Sequence, residues 1–191
     1  MPSKDTKTAI MDTAEQLIKR CGANAMSYQD ISEAVGIRKA SIHHHFPAKH
    51  DLIVAVIERY TDYVFGLMDG IFSSKLDAAA KLRQYAGLFE ATLSEGKGDK
   101  VCPFAMLGAE LATLNSPAAA RVRRFYEENE KRLARVFEEG RAKGQFHFKG
   151  EAKLVAAMFF ALLEGGILIA RAEGDPKRLR AMAEQALKLL E

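Results

Sequence analysis

The stretch SYQDISEAVGIRKASIHHHFPAKHDL, residues 27–52, reads as two short helices broken by a single glycine, the second helix basic and the junction tight. Each boundary has a local cause. Ser27 is placed to N-cap the first helix, and Asp30 completes an S-x-x-D capping box. Ile31, Ala34 and Val35 follow as an apolar stripe at helical spacing. Gly36 ends this helix, because reversing the chain within about three residues calls for a positive φ that glycine adopts without a Cβ penalty. Ile37 seals the turn. The second helix, from about Lys39 to His45, is predicted to bury Ile42 and Phe46 and to turn Arg38, Lys39, Ser41, His43 and His44 outward, with Pro47 stopping it. Such a pattern is that of a helix-turn-helix, whose second helix enters the major groove of DNA.

Charge supports the same partner. From Ala34 to His50 there is no Asp or Glu, while Arg38, Lys39 and Lys49 are cationic. The whole chain carries only +3, so affinity for a phosphate backbone has to come from this patch rather than from a generally basic surface.

Residues Gly36, Ile37, Lys39, Ala40, Ile42, His43, His45, Phe46, Lys49 and Leu52 fall on the pattern G-[VI]-x-[KR]-[GA]-x-[LI]-[YH]-x-[HY]-F-x-x-K-x-x-L, and the segment resembles the DNA-binding domain of the TetR family of transcriptional regulators. Upstream, Ile10, Ala14, Leu17 and Ile18 followed by Gly22 resemble that family's first helix. The resemblance implies a role for each matching residue. Lys39, Ala40, Ser41 and His44 stand where the recognition helix meets bases or nearby phosphates. Tyr28, His43 and Lys49 stand where phosphates are clamped, and Ser27 aims its helix N-terminus at one. Two residues depart from the pattern's usual form: Ala40 replaces a common glycine and His43 the usual tyrosine.

The triplet His43-His44-His45 invites a metal reading, but neighbouring helical residues point about 100° apart and do not converge on one ion. No metal or cofactor is expected. Nor is a catalytic set, because the histidines crowd the DNA-facing helix, apart from His147 in an expected loop. Cys21 and Cys102 make no disulfide framework, and Pro2 to Lys7 is polar where a secretory signal would be apolar, so a cytoplasmic protein is expected.

With 191 residues and 48% hydrophobic content the chain can build a substantial core. The periodicity predicts an all-α protein of about nine helices: a helix-turn-helix domain at 1–53 and a helical regulatory domain at 54–191, the boundary falling within the fourth helix. That helix runs from about Lys49 to Ile71, with others at about Leu76–Leu93, Phe104–Leu114 and Pro117–Ala142. The apolar run Leu154 to Ala170 is interrupted by Glu164 and two glycines, which suits a protein interior rather than lipid. A final helix after Gly174-Asp175-Pro176 carries Leu179, Met182, Ala183, Ala186, Leu187 and Leu190 at three- and four-residue steps. These last two helices are expected to form a homodimer interface, as the resemblance also implies; the alternative is an intrachain core.

The resemblance implies a small-molecule inducer in a cavity of the regulatory helices, and Tyr63, Tyr85, Phe89, Phe104, Tyr126 and Phe159 are the expected aromatic lining. Asn129, Glu110 and Glu164 are polar residues on apolar stripes; each is either a structural hydrogen-bond partner or a ligand-orienting group, and Asn129 and Glu164 join the expected site. Cys102, opening a cysteine-bearing sixth helix like that of several TetR-like regulators, with Lys97 and Lys100 close in sequence, also joins it. The reading is therefore a homodimeric repressor released from a palindromic operator by an inducer. Its alternatives are an electrophile or redox sensor acting through Cys102 and a dimeric helical adaptor that does not bind DNA.

Overall fold

The computed structural model describes residues 4–95 and 98–191, and among them nine α-helices and no strand. They are α1 (Lys4–Ala25), α2 (Tyr28–Val35), α3 (Lys39–His45), α4 (Lys49–Phe72), α5 (Ala78–Glu95), α6 (Pro103–Ala109), α7 (Ser116–Ala142), α8 (Ala152–Glu173) and α9 (Pro176–Lys188). The helix starts follow their capping residues. Asp77 accepts from the Ala80 amide, Asn115 from the Ala118 amide and Asp175 from the Lys177 amide, each satisfying a donor that the first turn leaves open.

Two compact units form. The first comprises residues 1–62 and 103–124, the second 63–102 and 125–191, so α4 and α7 each contribute to both. Compactness thus groups α6 and the start of α7 with the N-terminal helices, whereas the sequence predicts a division between residues 53 and 54.

In the first unit, Ile10, Ala14 and Ile18 of α1 are buried, as are Ile31, Ile42, Phe46, Leu52, Val56 and Ile57. Ala34, expected in the α2 stripe, is exposed, because an eight-residue helix has room to bury one face and Ile31 fills it. Helix α6 is shorter than expected: after Ala109 the chain tightens, with the Leu111 amide bonding Gly108 and the Thr113 amide bonding Glu110. The tightening leaves the Glu110 side chain free to serve another helix.

In the second unit, α9 packs its Leu179, Ala183 and Leu187 within the chain, against α5 and α8. These three take up part of the α9 stripe within the chain, while Met182, Ala186 and Leu190 of the same stripe stay partly exposed. Gly166 of α8 is what admits it: a Cβ there would meet Leu179 Cδ1 at 2.9 Å. Helix α8 is long and apolar enough by length and composition to cross a membrane, yet Ala156, Phe159, Phe160, Leu163, Ile167 and Ala170 are buried in this unit.

Candidate functional site: a DNA-reading helix and a buried polar cluster

The helix-turn-helix forms as its local chemistry dictates. Ser27 has extended dihedrals, its hydroxyl accepts from the Asp30 amide, and the Asp30 carboxylate accepts from the Ser27 amide at 2.8 Å. These bonds hold the Asp30 carboxyl below its usual range. Gly36 takes φ 73° and ends α2, and Ser32 closes the turn by accepting from the Gly36 and Ile37 amides through its carbonyl. Arg38 stands at the α3 N-cap in an extended conformation without a side-chain cap bond.

On α3 the inward residue Ile42 is fully buried, whereas Arg38, Lys39, Ala40, His43 and His44 are exposed and Ser41 is half-buried. The result is a short convex surface with two permanent cations. The small Ala40 and Ser41 stand at its start.

The residues expected as phosphate clamps are engaged internally. Tyr28 donates its hydroxyl to the Phe46 carbonyl at 2.9 Å, and burial, with a smaller push from Asp51, raises the phenol to about 12. Its ring meets His43 edge-on at 4.8 Å, and His43 Nδ1 lies 3.2 Å from the Pro47 carbonyl. Lys49 donates to the Asn24 carbonyl at 3.1 Å.

Behind this surface lies a connection that the sequence did not disclose. Gly22 breaks α1 with φ 86° and ψ 170°, which turns the following amides outward. The Glu110 carboxylate accepts from the Ala23 amide at 2.7 Å and the Asn24 amide at 3.1 Å. Thr113 and the Asn24 side chain bond one another at 2.9 Å. A Cβ at Gly22 would collide with the Glu110 carboxyl group, so glycine is required for the approach as well as for the dihedral. The structural reading of Glu110 is the one its contacts support: a residue at the end of α6 fixes the loop whose carbonyl holds Lys49.

The residues expected to bind a ligand divide. Tyr85, Asn129, Tyr126, Cys102 and Glu164 form one cluster in the second unit. Tyr85 donates to Asn129 Oδ1 at 3.0 Å in a fully buried bond, while Asn129 Nδ2 has no hydrogen-bond partner. Both Glu164 oxygens are enclosed and make no well-formed hydrogen bond, although part of the side-chain stem is accessible. Desolvation raises this carboxyl to about 7, against a smaller opposing pull from the Cys102 thiol. Burial pushes the Tyr85 and Tyr126 phenols well up, and the Glu164 and Cys102 charges push them further. Phe89 packs edge-on against Tyr85 at 5.5 Å.

Other expected members lie elsewhere. Tyr63 is 63% exposed on α4. Phe104 belongs to the first unit, 6.0 Å from the Tyr60 ring. Phe159 packs edge-on against Phe137 at 5.7 Å in the core of the second unit. The ring that flanks Tyr126, at 5.7 Å, is Phe160. Phe160 and Glu164 are four residues apart on α8, and that spacing was a readable signal that Phe160 rather than its neighbour shares Glu164's face. Cys102 is buried and Cys21 exposed; burial raises the Cys21 thiol, so it is not activated. Lys97 lies outside the described residues.

A compact unit presenting a short basic helix from a tight turn, in a chain that is otherwise helical, defines a helix-turn-helix regulator. Comparison with known proteins agrees. Residues 10–56 match the family described as "Bacterial regulatory proteins, tetR family", and residues 78–186 match "Tetracyclin repressor-like, C-terminal domain". A TetR-family regulator from Agrobacterium tumefaciens is similar in structure, with TM-score 0.93, 33% identity and 98% of each chain covered. A TetR regulator from Legionella pneumophila gives TM-score 0.88 at 30% identity over 100% of both chains. The transcriptional regulator AcuR of Cereibacter sphaeroides is 28% identical over 84% of this chain and 74% of its own length. The chain belongs to the TetR family. It is a DNA-binding transcriptional regulator and not an enzyme.

Proposed function

We propose that the chain is a cytoplasmic, homodimeric repressor that occupies a palindromic operator through α3 and is released when a small molecule enters the second unit. The observation that carries the DNA face is the surface of α3, where Arg38, Lys39, Ala40, His43 and His44 are exposed with no carboxylate between Ala34 and His50. Ser27, Tyr28, Ser41 and Lys49 flank it as positioning and phosphate contacts.

Dimerisation is supported by α8. Leu154, Met158 and Ile169 are 64%, 72% and 42% exposed, and with Ala161 and Gly165 they form one stripe at three- and four-residue steps. A second copy of the stripe would remove it from water and give two recognition helices related by a twofold axis. Half-sites about one helical turn or somewhat more apart then follow.

The effector site is the cluster of Tyr85, Phe89, Cys102, Tyr126, Asn129 and Glu164. Its two unpartnered polar groups, Glu164 and Asn129 Nδ2, support a ligand-orienting role. The low exposure of Cys102, 6%, supports a reversible ligand over an electrophile attacking that thiol. Release requires that the effector bind the DNA-free conformation more tightly than the DNA-bound one.

Fluorescence anisotropy on an operator fragment tests the DNA face. Lys39→Ala is expected to weaken binding by roughly tenfold and to reduce the salt dependence by about one counterion, with helicity unchanged. Unchanged affinity in a folded Lys39→Ala variant would remove α3 from the interface.

A further inference from the structure

Glu164 is a poor structural residue by the usual test. A buried polar side chain retained for the fold has its hydrogen bonds made, and neither carboxyl oxygen of Glu164 makes a well-formed one, the Cys102 thiol acting on it only as a weak donor. Among the described residues, the groups that act on its charge are the surrounding apolar bulk and the Cys102 thiol, with no lysine, arginine or histidine among them. The titratable groups that face it are the Tyr85 phenol from α5, the Tyr126 phenol from α7 and the Cys102 thiol ahead of α6.

Those neighbours are aromatic and neutral. Tyr85 is flanked by Phe72 at 6.0 Å and Phe89 at 5.5 Å, and Tyr126 by Phe160 at 5.7 Å and Phe125 at 6.2 Å. A carboxylate within an aromatic cluster suits an organic cation, through charge pairing with the carboxylate and attraction between the cation and the rings. Asn129 Nδ2, itself unpartnered, offers a donor to an oxygen on the same ligand. An anionic ligand would instead meet the Glu164 charge with no cation to offset it.

Resting on the reading of this cluster as the effector site, we propose that its ligand class is a small organic monocation, a protonated amine or quaternary ammonium compound, with the positive nitrogen held against Glu164. The carboxyl pairs with the cation only when ionised, so binding strengthens as pH rises through about 7.

Three probes sharing one ring and differing in charge make the test: benzylammonium, benzyl alcohol and benzoate, titrated into the full chain by calorimetry at pH 8 and pH 6, with operator release scored in parallel. Benzylammonium is expected to bind about tenfold or more tightly than benzyl alcohol at pH 8, and benzoate not at all. Lowering the pH to 6 should weaken the amine several-fold while leaving the alcohol unchanged. In Glu164→Gln, shown folded by helicity and melting, the amine's advantage should fall to within about twofold. The pH series on the unaltered chain keeps the test independent of that variant.

The proposal is overturned by equal or tighter binding of the alcohol or benzoate, by an amine preference that survives Glu164→Gln, or by no binding of benzylammonium at about 10 mM. Operator release by benzoate or the alcohol would sink the cation while preserving the effector reading. Benzylammonium binding that follows Glu164 but leaves operator affinity untouched would preserve the cation site and remove the effector reading.

Discussion

Removing the Glu110 carboxylate should loosen the DNA-binding unit from behind. In the structure that group satisfies the Ala23 and Asn24 amides at 2.7 and 3.1 Å, just past the break at Gly22. Glu110→Ala leaves both amides without their protein acceptor. Bonds to a charged acceptor are worth about 1.5–3 kcal/mol each when buried, but the Asn24 bond is solvent-exposed and water replaces part of it, so about 2–3 kcal/mol in total is expected. For a chain of this size that lowers the melting temperature by roughly 4–12 °C. Thermal unfolding followed by circular dichroism reads it directly. A double-mutant cycle adds a sharper check. Gly22→Ala forces a φ that only glycine tolerates and drives a Cβ into the Glu110 carboxyl group. Removing that carboxyl relieves the collision but not the dihedral strain, so the two changes should couple by about 1 kcal/mol or more. Operator affinity should fall with Glu110→Ala as well, because the Asn24 carbonyl that holds Lys49 loses its support. A loss of under about 0.5 kcal/mol, additive with Gly22→Ala, would refute the reasoning.

Other perturbations separate the remaining parts of the account. Glu164 ionises near 7 folded against an ordinary 4.5, so between those values the folded chain holds a proton that the unfolded chain has released, and stability falls as pH rises through that window. Compared with Glu164→Gln, the unaltered chain should lose roughly 3 kcal/mol between pH 4.5 and pH 7.5 that the variant keeps; parallel stability profiles by urea unfolding would count against a buried, unpaired carboxyl. Tyr28→Phe should cost about 1 kcal/mol of stability through the lost bond to the Phe46 carbonyl, and an unchanged urea midpoint would show that this hydroxyl serves DNA alone. Met158→Glu places a charge in the exposed α8 stripe and should convert the dimer to a monomer in sedimentation, with helicity retained. A dimer that persists unchanged would move the interface away from α8.

What the sequence disclosed and what it hid follow from the range of the interactions. The Ser27–Asp30 box, the Gly36 turn and the burial of Ile42 and Phe46 depend on residues within a few positions of one another, and all four read correctly from residues 27–52. The nine helices were legible for the same reason. The fate of their apolar faces was not. The stripe on α9 looks the same in sequence whichever surface it meets, and in the structure Leu179, Ala183 and Leu187 meet α5 and α8 while Met182, Ala186 and Leu190 stay partly exposed. Glu110 reads as a structural hydrogen-bond partner or a ligand-orienting group, but nothing local shows that its partners are the amides of Ala23 and Asn24. Lys81 is a further case of long-range pairing, 4% exposed and paired with Glu139 at 2.8 Å. Among the aromatics, composition selected Phe159, whereas the four-residue step from Glu164 belongs to Phe160.

The most direct test of the central claim is selection of DNA by the purified full chain from random and genomic fragments at about 0.1 M salt, where specific binding still competes with counterions. The account predicts enrichment of one palindrome with half-sites about a helical turn or somewhat more apart, lost when Lys39 is replaced by alanine. A folded dimer that enriches no sequence, or whose Lys39→Ala variant enriches the same palindrome equally well, would contradict it.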